Sequence, residues 1–452
     1  MGYFVIPWQA EISPQGTAWA VWVEDTSTPG TNSVWVRAAY KTPNQPWQRD
    51  DPSVGYDSYV QSLDLVFSPQ GQGLVVWADC TTDPANSGIC LVRARRRAAQ
   101  AEAWGVLEGL DDATVGSSIQ VVQALAGPDG NFVVLWDESA PATTQSALWS
   151  RAFNNPPGAW DPSPTNVSGM RESFYQTQAV IDPAGTVTAG FLALSSPGKQ
   201  SNYAVTRNAG NGTWSLPGTI SLESAFLGGP RFAVGQGGDV TAAWAQANDT
   251  MTAWTIYANS RAAGGVWAGM PQQITPWGVS VSDPYLGVWP NGGTLVVWSQ
   301  IDGSQPANQD EAVFYSVRPP GGNWGAGGEG QLSGWYDDIF FNMDLDVALD
   351  GSAALMWSVS DATQPAGQQQ AAFNAIWPPG GSWQAPEQLS EWQTQVWVER
   401  QDGQVLGREG SPLAAMWRSY RLETPETAVF VRTKGLSERQ VLVPLVLRPS
   451  GD

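Results

Sequence analysis

Residues 127–136, GPDGNFVVLW, join a turn sequence to a short apolar run that ends in Trp136. The same order of turn residues, Gly, apolar run and large aromatic recurs along the whole 452-residue chain. The eight copies end at Trp22, Trp77, Trp136, Phe191, Trp244, Trp298, Trp357 and Trp417. A period of about 53 to 60 residues indicates that each copy is one supersecondary unit of a repeat protein.

Each copy contains four short strand-like segments. In the sixth copy these are SDPYLGVW, GTLVVWSQ, EAVFYSVR and NWGAGGEGQLS, with Gly, Pro, Asn and Asp between them. Helical periodicity of useful length is absent. The pattern predicts an all-β fold, a single β-propeller domain over residues 1–452 with about eight four-stranded antiparallel blades and seven as the alternative. The approximate blades are 1–55, 56–115, 116–170, 171–225, 226–280, 281–336, 337–395 and 396–452.

The repeated aromatic residues have a packing explanation. A second Trp follows most apolar runs after about 25 residues, as at Trp104 and Trp324. Large side chains at the ends of inner strands fill the space between blades, and the burial of one is worth about 2–3 kcal/mol. We therefore expect both sets of Trp to belong to the core.

The hairpins before the second Trp carry a family resemblance. They read RNAGNGTW, RAAGGVW, RPPGGNW and WPPGGSW. Their Gly-x-Trp ends resemble a degenerate Asp-box, the Ser-x-Asp-x-Gly-x-x-Trp turn of bacterial sialidase-like propellers, without the Asp. The resemblance implies a propeller fold. Because the Asp-box is a structural turn in those families, it does not imply catalysis.

Arginine recurs once per copy at the end of the third strand, as at Arg151 and Arg318, and Trp377 takes this place in the seventh copy. Such regularity favours a structural contact to carbonyl or carboxylate groups over a substrate clamp. A sialidase-like site would instead need several Arg to meet a Tyr and acids. Five Arg are placed by the pattern near the expected ligand face: Arg171, Arg231, Arg400, Arg418 and Arg421.

The composition excludes several classes of function. The chain has no His, which removes Ser-His-Asp chemistry and imidazole metal ligands. Two Cys cannot form a zinc ribbon or an iron-sulfur cluster. With 22 basic against 42 acidic residues and a net charge of -20, the chain is not expected to bind nucleic acid.

Cys80 and Cys90 flank a loop between two strand-like runs. This spacing favours a structural disulfide over two free thiols and predicts an extracellular, periplasmic or cell-surface location. The printed N-terminus, MGYFVIPWQAEIS, does not have the pattern of a signal peptide. No apolar stretch reaches the roughly 18 residues of a transmembrane helix, so no transmembrane segment is expected.

Acidic residues concentrate in the loops between second and third strands and in the links between blades. These two sets are predicted to share one face. Solvation explains such a face, and calcium binding is a weaker alternative, because calcium takes oxygen ligands from carboxylates and loop carbonyls. The calcium candidates are Asp79, Asp83, Asp302 and Asp310.

The links of blades five to seven also carry aromatic residues outside the repeated positions. Exposed rings at a loop face stack on sugars or anchor protein interfaces, and partial burial is the competing explanation. The candidate ligand-binding residues are Trp277, Trp335, Tyr336, Trp392, Asp337 and Asp338.

The main functional expectation is a non-enzymatic extracellular or cell-surface module that binds a glycan or a protein partner through its acidic loop face. The alternative is a sialidase-like glycoside hydrolase that uses a carboxylate pair. A fucose-lectin-like propeller is a third reading, but no regular Glu accompanies the repeated Arg. No catalytic residue stands out in the sequence.

Overall fold

A computed structural model describes most of the chain. The described residues are 8–25, 34–42, 45, 48–57, 60–80, 90–99, 103–111, 118–139, 145–172, 174–276, 280–306, 309–348, 350–366, 368–392, 395–397, 404–406, 412–421, 424–432 and 441–443. Every regular element among them is a β-strand. None of these residues belongs to a helix with the length and apolar character that a membrane crossing requires.

The chain divides into two compact units, Met1–Thr219 and Ile220–Asp452. In the first unit, four sheets follow one another along the chain, and each runs antiparallel in chain order. The first sheet contains β1 (Trp8–Ile12), β2 (Ala18–Asp25), β3 (Val34–Lys41) and β4 (Gln48–Asp57). The second contains β5 (Val60–Phe67), β6 (Gly73–Cys80), β7 (Cys90–Arg97) and β8 (Glu108–Gly109).

The third sheet has β9 (Ser118–Ala126), β10 (Phe132–Ser139) and β11 (Gln145–Asn154). The fourth strand position of this sheet is occupied by three short strands that each pair with β11: β12 (Ala159–Trp160), β13 (Thr165–Asn166) and β14 (Arg171–Glu172). The fourth sheet contains β15 (Tyr175–Ile181), β16 (Val187–Ser196), β17 (Lys199–Arg207) and β18 (Gly218–Thr219).

The second unit repeats this plan. Its first sheet contains β19 (Arg231–Val234), β20 (Val240–Ala247), β21 (Trp254–Arg261) and β22 (Gln272–Gln273). The next contains β23 (Ser280–Val281), β24 (Tyr285–Val288), β25 (Thr294–Ile301), β26 (Glu311–Arg318) and β27 (Glu329–Gln331). Both β23 and β24 pair with β25, so together they form an interrupted first strand.

The third sheet of this unit contains β28 (Asp338–Val347), β29 (Ala353–Ser360), β30 (Gln370–Trp377) and β31 (Glu387–Gln388). The last contains β32 (Gln395–Trp397), β33 (Gln404–Leu406), β34 (Pro412–Arg421), β35 (Thr424–Arg432) and β36 (Val441–Val443). Up-and-down sheets with four strand positions confirm the predicted fold class, all-β of β-propeller type. The number of blades and the single-domain boundaries stay predictions.

The repeated turn sequence forms the hairpin between first and second strands. In GPDG, the N–H of Gly130 donates to the carbonyl of Gly127 at 3.2 Å, and Gly127 N–H donates to Asn131 at 2.7 Å. Gly130 has a φ of 77°, in the left-handed region where a Cβ is costly. The repeated Gly is therefore required by the turn.

The aromatic at the end of the apolar run is buried in six of the described copies. Trp77, Trp136, Phe191, Trp244 and Trp357 are almost completely buried. In the first sheet it is Trp19 that is buried, whereas Trp22, which ends the apolar run, is only half-buried. The predicted core role of the first aromatic is therefore confirmed for these five and for Trp298, which is also buried.

In the fifth and sixth copies the second Trp of the repeat packs against the third-strand Arg. The guanidinium of Arg318 lies 5.1 Å from the centre of the Trp324 ring, and that of Arg261 lies 5.8 Å from Trp267. Arg318 also donates to the hydroxyls of Ser260, Thr241 and Thr294. Arg318 therefore has structural contacts, but its hydrogen-bond partners are hydroxyl groups instead of the predicted carbonyl or carboxylate groups, and it adds a ring contact that the sequence pattern did not suggest.

The two cysteines are bonded to each other. Cys80 ends β6 and Cys90 begins β7, where they are directly opposed in the antiparallel ladder. The disulfide therefore ties β6 to β7 at the end of the hairpin where one strand leads into the other, as predicted.

Candidate active site

One polar residue occupies the same register position in seven of the eight first strands. In each case it pairs with the residue immediately before the repeated aromatic, as Asp64 pairs with Val76 before Trp77. The other six are Gln9, Gln123, Gln178, Arg231, Tyr285 and Asp344. Apolar residues are expected beside a buried second strand. A polar residue at this position in seven sheets therefore indicates a role other than core packing.

Several of these side chains bind the first strand of the next sheet. A first strand is the edge of its sheet, so alternate N–H groups lack a ladder partner. Asp64 Oδ2 accepts from Ala124 N–H at 2.7 Å, and Tyr285 Oη accepts from Met343 N–H at 3.0 Å. Gln123 pairs through both side-chain atoms with the backbone of Ala179, at 2.7 and 2.9 Å. The polar position thus joins consecutive sheets.

In the first unit this position brings two carboxyl groups into electrostatic contact. Asp64 lies on β5, and Glu11 lies on β1 opposite Trp19. Burial, followed by the charge of Asp64, raises the pKa of Glu11 to about 8. Burial raises the pKa of Asp64 to about 7, although hydrogen bonds from Ala124 and Leu65 oppose the rise. Glu11 therefore holds its proton more firmly than Asp64.

The environments of the two groups suit different roles. Two backbone N–H groups, of Leu65 at 2.8 Å and of Ala124 at 2.7 Å, orient the Asp64 carboxylate and stabilise its charged form. No hydrogen bond joins Glu11 to Asp64 in the described part of the chain. Near neutral pH, one carboxyl group is thus a proton donor while its neighbour is partly ionised, which is the division that glycosidases use.

A second polar cluster lies in the other unit. Arg231 faces Asp283 with an Nη2–Oδ2 distance of 3.9 Å, and Asp283 lies so close to Gly228 that a Cβ there would collide with it. Burial raises the pKa of Asp283 despite the opposing effect of Arg231. Burial also raises the pKa of Tyr285 to about 12. Of the five Arg named above, Arg231 is thus beside an acid and a Tyr.

Among the remaining four Arg, the structure describes the side chain of Arg171 alone. Arg171 lies in the first unit, where its guanidinium is 4.4 Å from the centre of the Tyr203 ring. Arg400 lies outside the described residues, as do the side chains of Arg418 and Arg421. A convergent Arg triad is therefore not seen among the described residues.

Glu311 and Asp338 form a closer acidic pair. Burial, together with the charge of Asp338 and a hydrogen bond with it, raises the pKa of Glu311 to about 7, although hydrogen bonds from Ile339 and Ser299 oppose the rise. Glu311 Oε2 also accepts from Ile339 N–H at 2.9 Å. Two carboxyl groups in direct hydrogen-bond contact leave no room for the sugar carbon or water that a glycosidase pair must flank. We interpret this pair as a junction between β26 and β28.

The predicted ligand-binding residues fall into different environments. Tyr336 and Trp392 are half-buried and pack on the same ring, Phe373, with centroid distances of 5.7 and 6.1 Å. Trp335 is half-buried and meets Phe314 at 6.0 Å. Trp277 lies outside the described residues.

The two predicted acids beside these rings also have internal contacts. Asp337 donates its N–H to Ser360 at 3.0 Å, and Asp338 contacts Glu311. The structure thus brings Tyr336 and Trp392 together through packing, and their role as a ligand site stays a prediction.

The predicted calcium residues have protein partners. Asp79 forms an ion pair with Arg93 at 3.5 Å. The Asp302 carboxylate accepts from Ser304 N–H at 2.9 Å, and its backbone N–H donates to the Asp310 carbonyl at 2.7 Å. Asp83 lies outside the described residues. Within the described ranges, no group of three or more acidic, His or Cys side chains could hold a metal ion.

The sequence contains a signal for the first-strand position that was not recognised. Each of the seven polar residues precedes its repeated aromatic by thirteen positions, as Asp64 precedes Trp77 and Arg231 precedes Trp244. Glu11 lies two residues after the first of them, Gln9, and therefore shares its side of β1. The thirteen-residue spacing marks Asp64 as one of seven such positions, and the two-residue period of a strand places Glu11 on the same side of β1 as Gln9.

No protein-family model matches the chain, and no curated protein matches it. Its fold is similar to that of an α-L-arabinanase of Penicillium chrysogenum bound to arabinobiose, at 12% identity and a TM-score of 0.42 over 83% of this chain and 93% of that one. A GH93 α-L-arabinofuranosidase of Fusarium graminearum is similar at 10% identity and a TM-score of 0.39, over 82% and 88%. The polysaccharide lyase Uly1 is similar at 8% identity and a TM-score of 0.48, over 96% and 97%.

These neighbours correct the main functional expectation. The sequence predicts a non-enzymatic binding or assembly module, whereas these three similar structures are enzymes. By this comparison the non-enzymatic prediction is wrong.

Proposed function

We propose that the protein is a glycoside hydrolase in which Glu11 is the general acid and Asp64 is the second carboxylate. The observation that carries the proposal is the Glu11–Asp64 pair itself: β1 packs against β5, the charge of Asp64 acts on Glu11, and two backbone N–H groups orient the Asp64 carboxylate. Hydrolysis of a glycosidic bond requires a protonated carboxyl group as acid and a second carboxylate as nucleophile or base.

In the proposed reaction, Glu11 gives its proton to the glycosidic oxygen as the bond from that oxygen to the anomeric carbon breaks. Asp64 either attacks the anomeric carbon or removes a proton from the attacking water, depending on the separation of the two groups in the substrate complex. If Asp64 attacks, the ionised Glu11 then takes a proton from the water that cleaves the glycosyl–Asp64 ester, which restores both groups. If Asp64 takes the water proton, it loses that proton to solvent while Glu11 takes one up from solvent. The N–H groups of Leu65 and Ala124 hold Asp64 in place throughout.

Two further features belong to this proposal. We propose that the Gly-rich hairpins are degenerate Asp-box turns, since Gly322 N–H closes such a turn on the Pro319 carbonyl at 2.9 Å and Gly265 does so on Ala262 at 2.9 Å. We also propose an extracellular, periplasmic or cell-surface location with a glycan as the partner. The Cys80–Cys90 disulfide supports an oxidising compartment.

The test uses substrates that differ in leaving group. Purified protein and the Glu11→Gln and Asp64→Asn variants are assayed on nitrophenyl and dinitrophenyl glycosides and on plant and algal polysaccharides. Because a dinitrophenolate leaves without a proton, Glu11→Gln should retain much of its activity on dinitrophenyl glycosides and lose about 10²–10⁴-fold on poor leaving groups. Asp64→Asn should lose activity on both.

Asp129→Asn is the matched control, because Asp129 is an exposed acid of the same unit. It should match the parent protein on every substrate. Equal activity of all three variants would contradict the proposal, as would failure of the parent protein to hydrolyse any glycoside.

A further inference from the structure

The second unit carries an exposed aromatic pair outside every repeated position. Phe226 lies in the segment before β19, is 47% exposed, and meets Trp254 with ring centroids 5.3 Å apart at 78°. In this edge-to-face arrangement one ring presents its edge to the face of the other, so the two rings do not stack, and about half of the Phe226 surface stays open to solvent. An exposed, uncovered ring of this size is a common component of a binding surface.

Both rings are held by the protein beneath them. Trp254 begins β21 opposite Ala247 and packs partly on the core around Ile256 and Trp298. The Phe226 carbonyl accepts from Ala247 N–H at 3.1 Å, and its N–H donates to the Ser224 hydroxyl at 3.3 Å. The Ser224 hydroxyl in turn donates to the Ala247 carbonyl at 2.8 Å. The pair is therefore preorganised, which lowers the entropic cost of binding.

The neighbouring loop adds an ordered set of hydroxyl groups. Asn248 accepts from the N–H of Thr252 at 2.9 Å and donates its amide to the Thr252 hydroxyl at 3.1 Å. The hydroxyls of Thr250 and Thr252 lie 2.9 Å apart, and both residues are exposed. Met251 between them is 58% exposed and has a φ of 55°, an uncommon conformation for a residue with a side chain. Such strain persists where the surrounding contacts hold the loop in one shape.

The chemistry of this surface favours one class of ligand. A sugar ring presents C–H groups on its faces and hydroxyls around its rim, which match an open aromatic face bordered by Thr hydroxyls. Residues 223–229 and 246–254 contain Glu223 and Asp249 but no Lys or Arg, so an anionic ligand would lack a counter-charge. We propose that Phe226, Trp254 and the loop at residues 248–253 bind a neutral saccharide chain, with residues other than the proposed catalytic carboxyl groups. The choice of a saccharide as ligand rests on the proposed function.

The test measures binding without catalysis. The Glu11→Gln/Asp64→Asn protein is run in native gels that contain arabinan, xylan, glucomannan or polygalacturonate, and its retardation gives an apparent affinity. At least one neutral polysaccharide should retard it, and polygalacturonate should retard it less. Phe226→Ala should weaken the retardation about tenfold, which corresponds to about 1.4 kcal/mol. Phe226→Trp, which keeps the aromatic face, should bind as the parent does.

Val266→Ala is the matched control, because Val266 is an exposed apolar residue of the same unit in a different hairpin. It should not change the retardation. The proposal is overturned if no neutral polysaccharide retards the protein, if Phe226→Ala binds as the parent does, or if only polygalacturonate or an unrelated protein binds. These outcomes leave the hydrolysis assay of Glu11 and Asp64 unaffected, so the two proposals fail separately.

Discussion

The Asp64 carboxylate on β5 accepts a hydrogen bond from the Ala124 N–H on β9 at 2.7 Å, and this contact joins two consecutive sheets. The same carboxyl group is the charged neighbour that helps to raise the pKa of Glu11. One side chain therefore serves both the assembly of the sheets and the proposed chemistry.

Removal of the Asp64 side chain should destabilise the protein. Asp64→Ala leaves the Ala124 N–H without its acceptor and should cost about 1–3 kcal/mol in the free energy of unfolding. Asp64→Asn keeps an acceptor oxygen and should cost less. Denaturant unfolding followed by Trp fluorescence measures the free energy of unfolding of both variants. Equal losses of stability would show that the hydrogen bond to Ala124 does not account for the effect.

The stability of the protein should fall as the pH rises from about 5 to about 9. Glu11, Asp64 and Glu311 all have folded-state pKa values above those of an unfolded chain. Between the unfolded and folded pKa values the folded protein binds more protons, so stability is greatest below the unfolded pKa and decreases through the folded one.

Glu11→Gln removes one of these titrations. The melting temperature of this variant should depend less steeply on pH than that of the parent protein. The reason is that the variant releases about one proton fewer on unfolding in this pH range. Thermal melts across this pH range provide the measurement. A variant with the same or a steeper dependence would refute the raised pKa of Glu11.

Several features of the fold can be predicted from the sequence because they are local. The turn with Gly130, the strand alternation and the Cys80–Cys90 pairing each depend on residues close together in the chain. Because the turn and strand pattern recurs in every copy, it predicts the fold more strongly than any single copy does. The first copy is the exception, since Trp19 occupies the core and Trp22 does not.

The candidate site is harder to predict because it depends on contacts between sheets. Glu11 and Asp64 are far apart in sequence, and only the packing of β1 near β5 brings their charges together. The sequence pattern alone favours loop acids and aromatic residues, and two of those aromatic residues, Tyr336 and Trp392, pack on Phe373. The thirteen-residue spacing was the available signal.

Trp357 provides a test of the core. It is fully buried and stacks on Phe373 with centroids 6.1 Å apart. Trp357→Ala should cost about 3–5 kcal/mol, and Trp357→Phe should cost less because the cavity is smaller. Leu216→Ala is the control, because Leu216 is 90% exposed and its truncation should change the unfolding midpoint very little. A small effect of Trp357→Ala would contradict the packing role.

Reduction of the disulfide should lower the stability of the second sheet. Cys80 and Cys90 are ten residues apart, and a loop of this size contributes about 2–3 kcal/mol by restricting the unfolded chain. The Cys80→Ser/Cys90→Ser variant should melt at a lower temperature, and dithiothreitol should lower the melting temperature of the parent but not of the variant. Insensitivity of the parent to the reductant would contradict this.

The most direct test of the proposed mechanism is the pH dependence of kcat/KM for hydrolysis. The active form needs Asp64 ionised and Glu11 protonated, so kcat/KM should rise through about pH 7 and fall above about pH 8. Because the groups interact, these values belong to the pair. In Glu11→Gln, assayed on a dinitrophenyl glycoside, the alkaline fall should disappear while the acidic rise remains. An unchanged bell-shaped profile in that variant would contradict the assignment of Glu11 as the acid.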